Sequence, residues 1–395
     1  MRRAPALLFA GGALVFVVIT VTYALSVPVG SSADELAHLN YARLISDHAA
    51  LPGATVTERQ QPPLYYLAGA ALLRLGATPV ALRFLSIILG ALALACVALT
   101  VRRLVPGRPW LAAGTTAALA LLPGFQFVSA SITDDSLATL AGALLLLVAT
   151  HVALAPAPTR RLLLAVGGSI ALGLLAKETD LPVIIALAAV VVWRWRHLFR
   201  PADVLRVTAP IVVIAGWWYV RNLVSFHRPL PPLTPIGVPP HKLRTVAELR
   251  AFLTQSLHGL FSPERYQGSP VVLPPAGRLL LAAFAVVVAG LVMIGVVLVA
   301  RSWARWEFSR RIAVGAYALA ALGAGAFSIG NALVVVFQPQ GRYLLVAVAG
   351  PLLVLVWAIN RLIRARAAIV AVSSLGAAAA MTLSIMGLTT AIAAG

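Results

Sequence analysis

Asp34 and Glu35 form an adjacent acid pair just past the first hydrophobic stretch, in a chain with only 12 acidic residues against 31 basic ones. His38 and Tyr41 follow at helical spacing, and Gln61-Pro62-Pro63-Leu64-Tyr65-Tyr66 comes next. A carboxylate at a membrane edge can act as general base toward a hydroxyl. A histidine one helical turn away can orient such a base, or share a metal with it. A metal would need further ligands, with Asp134 or Asp135 the candidates. No metal or other cofactor is expected, and His38 reads first as a packing or hydrogen-bonding group.

Further polar groups recur between the hydrophobic stretches: Asp134-Asp135, then Lys177, Glu178 and Asp180, then Arg221-Asn222, then Gln338, Gln340, Arg342 and Tyr343. Ionisable groups at membrane depth are costly and tend to mark sites. Fixed cations such as Lys177, Arg221 and Arg342 can hold a lipid phosphate and stabilise it as it leaves. Each group also has a plainer role open to it. Asp34-Glu35 and Asp134-Asp135 can cap helices, and Lys177 and Arg342 can snorkel to the interface. Arg221 follows the aromatic run Trp217-Trp218-Tyr219 and can serve as an anchor. Glu178 and Asp180 read as a solvated turn.

Composition fixes what must position these groups. The chain of 395 residues is 61% hydrophobic and 11% charged, against roughly 25% charged in a soluble domain. Apolar runs near 6–27, 80–101, 110–130, 137–154, 162–176, 181–193, 205–221, 277–300, 312–336, 343–360 and 367–391 predict an all-α polytopic bundle of eleven spans. Segment 62–77 is short and interrupted by Arg74, and reads as an interfacial or re-entrant helix. Met1-Arg2-Arg3 leads into an apolar stretch longer than a signal peptide's core of about 7–15 residues, so it reads as a retained first helix. Cys96 is the single cysteine, which excludes an intrachain disulfide.

With the N-terminus inside, the cytoplasmic segments hold 18 basic and 2 acidic residues, and the outer ones 13 basic and 10 acidic. That is the positive-inside pattern. The net charge of +19 therefore belongs to orientation and anionic lipid, not to nucleic acid. Two long outer loops, 28–79 and 222–276, are expected to roof the site. The second carries Pro229, Pro231, Pro232, Pro235, Pro239 and Pro240 ahead of a surface helix near 245–260. One transmembrane domain over 1–395, with no separate soluble domain, is expected. No Walker or Rossmann glycine loop is present, nor a Gly-x-Ser-x-Gly or His-Glu-x-x-His motif.

These motifs resemble the GT-C glycosyltransferases, above all the group of dolichyl-phosphate-mannose-protein mannosyltransferases and aminoarabinose transferases (family 39-like). The matching elements are Asp34-Glu35 with Ala37-His38-Leu39-Asn40-Tyr41-Ala42, Gln61-Pro62-Pro63-Leu64-Tyr65-Tyr66 and Ala81-Leu82-Arg83. Arg102-Arg103-Leu104, Asp134-Asp135, Lys177 and Trp218-Tyr219-Val220-Arg221-Asn222 add to them, over roughly residues 1–225. Gln61 stands where that group often has His or Lys. Gln340-Gly341-Arg342-Tyr343 also resembles a related family of uncharacterised membrane proteins. The resemblance implies that Asp34 is the first-loop catalytic carboxylate, with Lys177 and a later arginine near a donor phosphate.

The expected function is an inverting transfer of a sugar from a polyprenyl-phosphate donor to an acceptor hydroxyl, on a protein, lipid or glycan, outside a plasma membrane that is bacterial in type. Asp34 and Glu35 are the catalytic candidates. His38, Tyr41, Gln61, Tyr65, Asp134 and Asp135 are candidates for substrate binding, and Lys177, Arg221 and Arg342 for the donor phosphate. The alternatives are a non-catalytic binder or transporter of a polyprenyl-linked substrate, and a structural subunit of an envelope assembly.

Overall fold

The computed structural model describes residues 3–53, 58–198, 200–230, 241–262, 273–362 and 366–394. Among them there is no β-strand. The first half runs α1 (Arg3–Ser26), α2 (Glu35–His48), α3 (Leu64–Arg74), α4 (Pro79–Leu104), α5 (Pro109–Ala120), α6 (Pro123–Ser129), α7 (Asp135–Leu154) and α8 (Arg160–Ala176). The second half runs α9 (Leu181–Trp195), α10 (Pro201–Ile211), α11 (Trp217–Phe226), α12 (Val246–Phe261), α13 (Pro275–Ser302), α14 (Phe308–Val334), α15 (Ala349–Leu362) and α16 (Arg366–Ala394).

Prolines set many of the starts. Pro79, Pro109, Pro123, Pro182, Pro201 and Pro275 each occupy the first or second position of a helix, where a missing N–H costs nothing. Two breaks matter for the site. α5 and α6 meet at 65°, and the 3-10 segment Gly341–Ala347 meets α15 at 74°. Gln126 repairs the first break, donating to Ala120 O at 2.8 Å and accepting from Ser384 Oγ at 2.6 Å.

Among the described residues, seven helices are long and apolar enough to cross a membrane, and up to nine spans result if each bent pair counts as one. The protein is therefore a multi-pass membrane protein. The expectation of eleven spans is higher because α8 and α9 were counted. They hold 17 and 15 residues, about 25 and 22 Å at the α-helical rise, short of a ~30 Å hydrocarbon core. α3, with 11 residues, is likewise too short to span, and Arg74 ties its end to the last turn of α2 through Ile45 O and Ser46 O, both at 2.9 Å.

α7 forms the centre of the bundle: Ala138, Leu145, Ala149 and Val152 are buried against Leu163, Leu187, Ala320 and Val346 from other segments. α13 is the opposite case, with little of its surface covered, as expected of a lipid-facing helix. The surface helix expected near 245–260 is α12. Its start is closed by a capping box, with Glu248 N donating to Thr245 Oγ1 at 3.1 Å and Thr245 N to Glu248 Oε2 at 2.9 Å. Pro231, Pro232, Pro235, Pro239 and Pro240 lie outside the described residues.

Candidate active site

The site collects at the N-terminal ends of α2 and α7, the turn between α8 and α9, and the 3-10 segment that begins at Gly341. Asp34 precedes α2 in the left-handed region at φ 56°, and its side chain makes no capping hydrogen bond. Aspartate tolerates that region better than most residues, yet a non-glycine there carries a cost that clusters at functional positions. Its carboxylate therefore turns out of the helix. Arg342 Nη2 donates to Asp34 Oδ2 at 2.5 Å.

From Arg342 the ion pairs continue without a gap. Arg342 Nε lies 3.2 Å from Asp135 Oδ2, and Lys177 Nζ donates to Oδ1 of both Asp135 and Asp134 at 2.7 Å. Tyr66 donates to Asp134 Oδ2 at 3.2 Å, and its hydroxyl is 2.8 Å from His38 Nδ1. Asp34, Arg342, Asp135, Lys177, Asp134, Tyr66 and His38 thus form one alternating chain of charges and hydrogen bonds. Burial alone would lower the Lys177 ammonium, but the two aspartates reverse this and push it up. Burial pushes the Asp34 carboxyl up, and Arg342, with His38 and Lys177 behind it, more than offsets this and holds it below the usual range.

A cleft of about 680 Å³, partly open to solvent, opens beside this chain. Asp34, His38, Gln61, Lys177 and Arg342 line it, as does Glu58. Glu178, Tyr343 and the amides Gln60, Asn331 and Gln338 also belong to its wall. Sequence reasoning missed Glu58, although it lies three positions before Gln61. The Nε2 groups of Gln60 and Gln61 both donate to Glu58 Oε2 at 3.1 Å, and burial raises its carboxyl. The expected solvated turn is not one. Asp180 is fully buried with neither carboxylate oxygen hydrogen-bonded. Glu178 faces the cleft, and burial pushes it up to about 7 against the pull of Lys177.

Several expected site residues stand behind the cleft rather than in it. Glu35 is fully buried and locked onto Arg83, which donates to it through Nε at 2.7 Å and Nη2 at 2.8 Å. It also accepts from Gly30 N and Ile132 N, at 2.8 and 3.0 Å. Its geometry is that of a brace for Asp34, not of a second reacting acid. Tyr65 is tied to Ser86 Oγ and to Thr133 N, which fixes the turn before Asp134. Tyr41 stacks on Tyr66 with centroids 3.8 Å apart. Arg221 lies apart from the phosphate candidates: it donates to Pro52 O at 2.5 Å and sits over Trp218 and Phe226. That is the anchoring role its aromatic neighbours suggested. Among the described residues, no group of three or more His, Cys, Asp or Glu side chains is placed to hold a metal ion.

Known proteins share this framework. Residues 60–219 match the sequence profile of the dolichyl-phosphate-mannose-protein mannosyltransferases. No curated protein sequence matches the chain. The structure of ArnT from Cupriavidus metallidurans bound to undecaprenyl phosphate superposes with a TM-score of 0.62 at 15% identity, covering 99% of this chain and 77% of that one. Its apo form gives 0.59 at 14%, covering 97% and 76%. The apo oligosaccharyltransferase of Archaeoglobus fulgidus gives 0.54 at 14% and covers 99% of this chain, which spans little more than half (56%) of that longer protein. This chain is a polytopic membrane protein that shares its fold with ArnT and with the archaeal oligosaccharyltransferase, and its residues 60–219 match the dolichyl-phosphate-mannose-protein mannosyltransferase profile.

Proposed function

We propose that the protein transfers a sugar from a polyprenyl-phosphate donor to an acceptor hydroxyl, with inversion, on the outer side of a bacterial-type plasma membrane. The observation that carries this reading is the contrast among the acids of the charged chain. The Asp34 side chain keeps 27% of its surface exposed toward the cleft, whereas Asp134 and Asp135 keep 0% and 2%. Asp34 is thus the acid of this chain that a substrate hydroxyl can reach, and Lys177 and Arg342 stand in the same wall.

In the reaction the acceptor oxygen attacks the anomeric carbon from the side opposite the phosphate. The new carbon–oxygen bond forms as the sugar–phosphate bond breaks, and the acceptor proton passes to Asp34. The bonding electrons leave with the polyprenyl phosphate, whose added negative charge Lys177 and Arg342 stabilise. The undecaprenyl phosphate bound to the ArnT neighbour supports a donor of this kind. The arginine-rich loops expected inside support the outward orientation.

The test is release of polyprenyl phosphate by purified protein from a panel of polyprenyl-phosphate sugars, wild type beside Asp34→Asn. Turnover that disappears in the variant while the donor still binds supports the assignment. Binding without turnover in the wild type, across varied acceptors, would make the protein a carrier instead.

A further inference from the structure

The cleft's two fixed cations are already engaged. Lys177 holds Asp134 and Asp135, and Arg342 holds Asp34 and Asp135. On the reading proposed above, a donor phosphate enters this cleft and requires at least one of them. It must take a cation from a carboxylate, and the carboxylates differ in what that loss would cost.

Asp134 and Asp135 are buried, and stripping either of its cation would leave an uncompensated charge out of water. Each also has a second hold, Tyr66 on Asp134 and Thr133 Oγ1 on Asp135 at 3.0 Å. Asp34 differs on every count. It borders the cleft, caps nothing with its side chain and can be rehydrated when released. Arg342 keeps other holds through such an exchange, donating through Nε and Nη2 to Gln340 Oε1 at 3.1 and 2.8 Å. A guanidinium that trades one carboxylate for a phosphate replaces one charge-assisted pair with another of similar strength.

We propose that donor binding hands Arg342 from Asp34 to the phosphate, so that the base is released only when a donor is in place. Paired with Arg342, Asp34 is a weak base with one oxygen occupied. Released, it regains basicity and a free oxygen for the acceptor hydroxyl. Asp34 and the donor phosphate therefore compete for one guanidinium, and by linkage the loss of the Asp34 charge must strengthen phosphate binding.

The experiment measures binding of farnesyl phosphate, by calorimetry in detergent, to wild type, Asp34→Asn, Asp34→Ala, Arg342→Gln and Asp34→Asn/Arg342→Gln. Both Asp34 variants are expected to bind about fivefold or more tightly than wild type. Arg342→Gln is expected to bind more weakly, and the double variant no better than Arg342→Gln alone. A gain from Asp34→Asn that survives without Arg342 would mean simple relief of repulsion and overturns the exchange. Equal or weaker binding by both Asp34 variants overturns it too, and leaves the lipid-phosphate reading standing. No saturable binding in any of the five proteins overturns both.

Discussion

Glu35 and Arg83 form a bidentate ion pair with neither side chain exposed, and this pair holds Asp34 in register. Arg83 Nη1 also donates to Ala24 O and Val27 O at the end of α1, at 3.1 and 2.6 Å. One guanidinium thus joins α1, α2 and α4. Arg83→Met leaves a buried carboxylate without its cation and is expected to cost about 3–5 kcal/mol, read as a lower melting temperature in detergent. Glu35→Met/Arg83→Met should regain much of that loss, because the orphaned charge causes most of it. If the single and double variants melt alike, the pair is not what holds this junction.

Glu178 gives the site a pH dependence. Its carboxyl, pushed up by burial to about 7, is neutral below that value and charged above it. Deprotonation places a negative charge in the cleft proposed to receive the phosphate, so donor affinity should fall as pH rises through about 7. A phosphodiester donor carries a constant charge over this range, which assigns any change to the protein. Titrations of such a donor between about pH 6 and 8 should show a step in the wild type, and none in Glu178→Gln. A step that persists in Glu178→Gln would point to another group.

The helical stretches were legible because runs of about 20 apolar residues have one common explanation in a chain this poor in charge. α8 and α9 read as spans in the sequence because a helix buried in a bundle is as apolar as one facing lipid. The candidate site was legible for a related reason: Asp34, His38, Lys177 and Arg342 stand out against an apolar background. What hid was pairing over distance. Nothing local marks Glu35 as the partner of Arg83, 48 positions on, so two adjacent acids looked alike. Glu58 escaped, and Glu178 read as part of a solvated turn, because only the folded chain brings them to the same cleft. Arg221 has the composition of a phosphate ligand, and the fold turns it toward Pro52 instead.

Gly341 sets the position of Arg342 through a close approach. A Cβ at this position would lie 2.4 Å from Ser256 O and 2.5 Å from Leu260 N of α12, both backbone atoms that cannot swing aside. Gly341→Ala must therefore lift the segment off α12 and carry Arg342 with it. A displacement of about 1 Å at a catalytic group can cost on the order of 100-fold, so turnover should drop by about 10- to 100-fold. Melting temperature should change far less than in Arg83→Met. Wild-type turnover in Gly341→Ala would show that Arg342 does not need this placement.

Lys177 has a structural duty and a proposed catalytic one, and the two can be separated. It neutralises Asp134 and Asp135 inside the bundle, so Lys177→Met removes a cation that two buried carboxylates share and should cost about 3–5 kcal/mol. Arg342 still partners Asp135 in that variant, at 3.2 Å, which leaves Asp134 as the more exposed loss. Adding Asp134→Asn removes that charge while keeping a side chain that can accept from Tyr66. Lys177→Met/Asp134→Asn should therefore recover much of the melting temperature. It should not recover release of polyprenyl phosphate, because the cation proposed to face the leaving group is gone. Recovery of both would assign Lys177 a structural role alone and leave the leaving phosphate to Arg342.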